Sequence, residues 1–108
     1  MNRGILSTIY IPLKEKNISK IHEIYTDFYK NDEFIRILPL GMTARTSHVR
    51  FSNFCDISIH LDHSGSTLII ISAIDNMIKG ASGQAVQNMN IVLCFEEKAG
   101  LGMIPALF

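Results

Sequence analysis

Residues 55–74 read CDISIHLDHSGSTLIIISAI. In the first half, Cys55, Ile57, Ile59 and Leu61 alternate with Asp56, Ser58, His60 and Asp62. Alternation at period two marks a strand with one apolar and one polar face. His63-Ser64-Gly65-Ser66 supplies turn residues, and 67–74 return as a strand that is apolar on both faces. A hairpin therefore occupies the middle of the chain, and the remaining segments are placed around it.

Upstream, residues 5–13 put Ile5, Ile9, Ile11 and Leu13 on one side, with Thr8 and Tyr10 opposite. This predicts a strand, and Pro12 puts its end at an edge or exit. Residues 18–30 carry Ile18, Ile21, Ile24, Tyr25, Phe28 and Tyr29 at helical spacing, with Asn17 or Ser19 to cap them. Residues 34–38 suggest a short strand ended by Pro39 and Gly41. Residues 42–47 suggest a polar loop, and 48–51 a further short strand. Downstream, the period from Lys79 to Leu93 is helical, with Ala81, Ala85, Met89 and Val92 on one stripe. The expected architecture is α+β, a mainly antiparallel sheet with helices on one face. The domain is expected over 1–93, followed by a loose tail over 94–108 that holds Gly100, Gly102 and Pro105.

Composition narrows the function classes. A length of 108 residues predicts one domain or a piece of one, and 47% hydrophobic content argues against wholesale disorder. Ten Lys and Arg balance ten Asp and Glu, which leaves no basic footprint for nucleic acid. The richest apolar run, Leu68 to Ile74, is broken by Ser72 and falls far short of the roughly 20 residues of a membrane helix. Ser7 and Thr8 interrupt the start before any signal-peptide core can form. Two cysteines are too few for a disulfide scaffold, so a reducing, cytoplasmic setting is expected.

Few side chains suggest chemistry. Lys79-Gly80-Ala81-Ser82-Gly83 opens a helix with two glycines, each costing about 1 kcal/mol against Ala. Either the helix packs tightly on the sheet, or a ligand lies at its start. Asp75-Asn76 stands between an apolar strand and that helix, well placed for capping. Gln84, Gln87, Asn88 and Asn90 suit a domain interface or a solvated face. Cys55 on an apolar strand face reads as a packed thiol, since no positive charge or helix start adjoins it. Cys94 ends a helix with no better setting. His22, His48, His60 and His63 lack metal-ligand spacing. A lone Arg3 before Gly4 would ordinarily be solvated.

Three blocks go further. MNRGILSTIY at 1–10, SNFCDI at 52–57 and SAIDNMIKGASGQAVQNMN at 72–90 resemble, in order and spacing, the C-terminal third of the N-acetyl-gamma-glutamyl-phosphate reductase family. The resemblance implies the C-terminal domain of a glyceraldehyde-phosphate dehydrogenase-like enzyme. It implies NADPH (NADP) as cofactor, bound mainly by a Rossmann domain that has no counterpart here, and an acyl-phosphate substrate of arginine biosynthesis. The family's nucleophilic Cys, in an Asn-Pro-Gly-Cys-type motif, and its acid–base His have no match in this chain. Cys55 and the four histidines inherit neither role, and the chain alone is expected to be inactive. By the same resemblance, Arg3 would grip substrate phosphate, Asn76 would meet the nicotinamide carboxamide, and Gly80, a cofactor-site residue, would with Gly83 let the helix approach the cofactor domain closely. A homo-oligomer is implied as well. The rival reading is a non-catalytic, stand-alone module that oligomerises or binds a partner.

Overall fold

The computed structural model describes residues 2–14 and 16–106. The elements run β1 (Ile5–Pro12), α1 (Ile18–Tyr29), β2 (Ile35–Ile37), β3 (Cys55–Leu61), β4 (Thr67–Ile74) and α2 (Gly83–Val92). They form one four-stranded sheet in the order β1-β4-β3-β2. Asn17 caps α1, its side chain accepting from the Lys20 N–H at 3.1 Å. Asp62 closes the hairpin by accepting from Ser66 N and Thr67 N.

The sheet is mixed, and not mainly antiparallel as the sequence suggested. β1 and β3 pair antiparallel with β4, but β2 runs parallel to β3, with Ile35 opposite Cys55 and Ile37 opposite Ile57. A parallel neighbour needs a crossover connection. Residues 38–54 provide it by passing over the sheet face opposite α1. The expected strand at 48–51 does not form; this stretch follows a 3-10 turn at Thr46–His48.

The alternation of β3 sorts the core. Ile57 and Ile59 pack with Leu68 and Ile70 of β4 beneath Ile18, Ile21, Tyr25 and Tyr29 of α1. Each such side chain withdrawn from water contributes about 1.5–3 kcal/mol. The polar side of β3 does not face water. Asp56 and Ser58 are 1% and 0% exposed, covered by the crossover with Ala44, Val49 and Ala73. Burial is tolerated because partners are supplied: Ala44 N donates to Ser58 Oγ at 3.0 Å and Arg36 Nε to Asp56 Oδ1 at 2.6 Å.

Only α1 covers the apolar face. α2 leaves the end of the sheet behind a π-turn at Ile78–Ser82 and buries Gly83, Gln87 and Asn90. The stripe of Ala81, Ala85, Met89 and Val92 is exposed. Segment 94–106 lies back on the body. Leu101 is buried, Asn90 Nδ2 donates to the Glu97 and Ala99 carbonyls, and Ala106 N donates to the Arg50 carbonyl. Leu107 and Phe108 lie outside the described residues.

The two helix-start glycines separate. A Cβ at Gly83 would collide with Asn53 Oδ1 and lie 2.8 Å from the Ile78 carbonyl oxygen, so this glycine serves close packing. A Cβ at Gly80 would meet nothing nearer than 3.5 Å. Gly83→Ala is expected to cost about 2 kcal/mol through overpacking. Gly80→Ala should change stability by no more than about 1 kcal/mol. Urea unfolding of the two variants checks the contrast.

Candidate functional site

β1 and β4 pair over their full lengths, from Ile5 opposite Ile74 to Pro12 opposite Thr67. This register brings the residues just outside the ladder, Arg3-Gly4 and Asp75-Asn76, to the same end of the sheet. Arg3 Nε donates to Asp75 Oδ2 at 2.8 Å, and Gly4 N donates to Asn76 Oδ1 at 2.6 Å. Thr46 presses on the same spot: a Cβ on Gly4, whose φ is +104°, would lie 2.7 Å from Thr46 Cβ.

The crossover contributes Phe51. Its φ of +60° lies in the left-handed region, unusual for a side-chain-bearing residue. Two contacts hold it there. Its N–H donates to Asp75 Oδ2 at 2.7 Å, and its ring lies 3.9 Å beneath the Arg3 guanidinium. The other oxygen, Asp75 Oδ1, accepts from Met77 N at 2.8 Å and Ile78 N at 3.2 Å. Asp75 is therefore the cap that the sequence allowed for this pair, whereas Asn76 ties down the start of β1. Burial alone would push the Asp75 carboxyl up. The bonds from Arg3 and the three backbone N–H groups outweigh that and hold its pKa below the ordinary carboxylate value.

Gly80 lies beside Asn76, and Arg3 is joined to them through Asp75 and Gly4. A Cβ on Gly80 would lie 3.8 Å from Asn76 Cβ, and the Gly80 N–H donates to the Asp75 carbonyl. What remains unused is informative. Among the described residues, neither terminal nitrogen of Arg3 has a partner, and Asn76 Nδ2 donates to nothing. The Arg3 side chain stays 27% exposed over a fully buried carboxylate. The site therefore offers a fixed guanidinium fork and a fixed amide donor at one rim.

A second polar group lies behind it. Gln87 Oε1 accepts from Lys79 Nζ at 2.6 Å and from Asn53 Nδ2 at 3.0 Å, and Gln87 Nε2 donates to Glu97 at 2.7 Å. Desolvation lowers the Lys79 pKa. Cys55 faces α1, and burial pushes its thiol up more than nearby Lys79 pulls it down, an unfavourable setting for a nucleophile. Among the described residues, no three His, Cys, Asp or Glu side chains are close enough to share a metal. Sequence reading missed Phe51 and the bond from Asp75 to Arg3, since their partners lie 24 and 72 positions apart.

Residues 1–76 match the family model described as "Semialdehyde dehydrogenase, dimerisation domain". The whole chain is 60% identical to a Clostridium kluyveri protein named N-acetyl-gamma-glutamyl-phosphate reductase, of which it covers 32%. It is 53% identical to a Brachyspira hyodysenteriae protein of the same name, covering 31% of it. A third of that name, from Thermoanaerobacter pseudethanolicus, is 51% identical over 97% of this chain. The chain spans about a third of the length of the curated relatives it matches.

The lowered carboxyl of Asp75 has a thermodynamic consequence. Its ionised form stabilises the fold at pH values above about 4, the unfolded-state value, and that contribution is lost as pH falls through the lower folded value. Asp75→Asn is expected to cost about 2 kcal/mol near neutrality and to narrow its gap to wild type on acidification. Urea unfolding from about pH 7 to about pH 3 checks this. Asp62, also held low by hydrogen bonds from its turn, is unchanged in both proteins and drops out of the difference.

Proposed function

The chain belongs to the semialdehyde dehydrogenase dimerisation-domain family, and from that premise we propose that it serves as the C-terminal domain of an N-acetyl-gamma-glutamyl-phosphate reductase, an NADPH-dependent enzyme of arginine biosynthesis. That enzyme would convert N-acetyl-glutamyl phosphate to the semialdehyde in the cytoplasm. One observation carries the assignment. Arg3 and Asn76 are locked through Nε and Oδ1, which leaves exactly their recognition groups, the guanidinium fork and Nδ2, unpaired among the described residues.

Each group suits one part of the reactants. A guanidinium fork binds a phosphate through two parallel N–H bonds, and the Phe51 ring beneath it restrains the plane of the fork. The substrate would present its acyl phosphate there, with the carbonyl carbon held toward a nucleophile supplied from outside this chain. The free Nδ2 of Asn76 can donate to the carboxamide oxygen of a nicotinamide, and Gly80 adds no side chain between them. NADPH, when bound, supplies hydride; the residues here hold and orient the reactants. The exposed stripe of α2, with Met89 49% and Val92 77% exposed, would rest on a Rossmann domain.

β1 supports a homo-oligomer. It is an edge strand exposed along its whole length, with Leu6 and Tyr10 on one face and Ile5 and Ile9 on the other. A long apolar edge of this kind calls for a partner.

The isolated chain should give only background turnover with N-acetyl-glutamyl phosphate and NADPH. Joined behind the remaining part of the Clostridium kluyveri relative, it should turn over. Turnover by the isolated chain would overturn the reading that the nucleophile comes from outside it, and a folded but inactive fusion would favour the stand-alone, non-catalytic module. In the active fusion, Asn76→Asp retains the acceptor for Gly4 N but loses the amide donor. It is expected to spare the melting temperature and lower turnover about tenfold or more, roughly 1.4 kcal/mol. For assembly, Tyr10→Asp should shift the chain toward monomer in sedimentation velocity.

A further inference from the structure

We propose that Asp75 is a positioning residue for substrate phosphate, acting through Arg3; the proposal rests on the phosphate-binding reading of Arg3 given above. A helix cap needs only one carboxylate oxygen, and Oδ1 fulfils that task with Met77 N and Ile78 N. The second oxygen makes no helix contact. It takes Arg3 Nε and Phe51 N, two donors from segments 72 and 24 residues distant in sequence. Accepting from Nε, and not from a terminal nitrogen, leaves both ends of the fork available for a bidentate anion. The Phe51 N–H reaches the same oxygen from a residue with a positive φ. That conformation also sets the ring beneath the guanidinium, so one oxygen fixes the position of Arg3 and the plate it stacks on.

The same carboxylate ties the fork to the amide. Asn76 follows Asp75 directly and holds Gly4, which follows Arg3, so the pairs 3–4 and 75–76 are bonded twice, at 2.8 and 2.6 Å. A shift of Asp75 would change the spacing between the phosphate end and the nicotinamide end of the site. An ordinary surface ion pair would do neither, since it imposes little geometry on its arginine.

The test separates capping from positioning in the active fusion enzyme. Asp75→Ser retains a side-chain acceptor for the helix start but cannot reach Arg3. It is expected to raise KM for the acyl phosphate about tenfold. In an Arg3→Met background, which alone raises KM, adding Asp75→Ser should produce no further rise. If Arg3→Met leaves KM unchanged, the phosphate reading of Arg3 fails and this proposal falls with it. If Arg3→Met raises KM but Asp75→Ser does not, Asp75 is only a cap, and the reading of Arg3 survives. Should Asp75→Ser prove too unstable to assay, Asp75→Thr, which likewise keeps a short acceptor for the helix start without reaching Arg3, gives the same comparison. A second readout uses the 108-residue chain: the Arg3 Nε–Hε proton should exchange slowly in wild type and fast in Asp75→Ser. Equal exchange in both would overturn the proposal.

Discussion

Asp75 carries a buried negative charge at the point where the first strand, the crossover and the second helix converge. Its side chain is fully shielded from water, so the charge is tolerable only if several donors surround it. Four do, and they come from Arg3, Phe51, Met77 and Ile78. Each donor is thereby constrained by the others. The backbone at Phe51 is in an uncommon conformation because a bond and a ring contact both depend on it. Arg3, which would be solvated if nothing held it, becomes a fixed element of a surface.

The sheet uses the same device a second time. On β2 and β3, Arg36 Nε pairs with buried Asp56 while its guanidinium lies 4.3 Å from the Phe54 ring. In both cases an aspartate on or just beyond a central strand meets an arginine on or just before the neighbouring strand, and a phenylalanine from 51–54 stacks on it. The difference lies in the terminal nitrogens. Arg36 Nη2 is committed to the His48 carbonyl at 3.2 Å, so this pair anchors the crossover. The Arg3 fork is uncommitted among the described residues, which is why the first pair is suited to a ligand and the second to packing.

α2 illustrates how spacing can reveal a helix without revealing its buried side. Its apolar residues lie at helical spacing on one stripe, but in this chain the buried side is Gly83, Gln87 and Asn90. The reason is the Lys79–Gln87–Asn53 network, in which Gln87 Oε1 accepts from Lys79 Nζ and Asn53 Nδ2 in a space too tight for a Cβ at position 83. The apolar stripe is left outward because the rest of the sheet has nothing to cover it. A helix start rich in glycine signalled a close approach, but local pattern could not say which glycine served the neighbouring side chain and which left open space.

Periodicity alone was enough to identify the β3–β4 hairpin, the first strand and both helices, because those patterns depend on where consecutive side chains must point. The three quoted blocks also pointed to the family. Periodicity could not decide that β2 runs parallel to β3, since direction depends on the path of a 38–54 crossover whose contacts are with a distant face. Nor could it tell that the polar side of β3 would be buried, or that Asp75 would hold Arg3. Those outcomes belong to tertiary structure: strand register brings together residues far apart in the chain, and a buried charge is placed wherever enough donors converge to offset its loss of water.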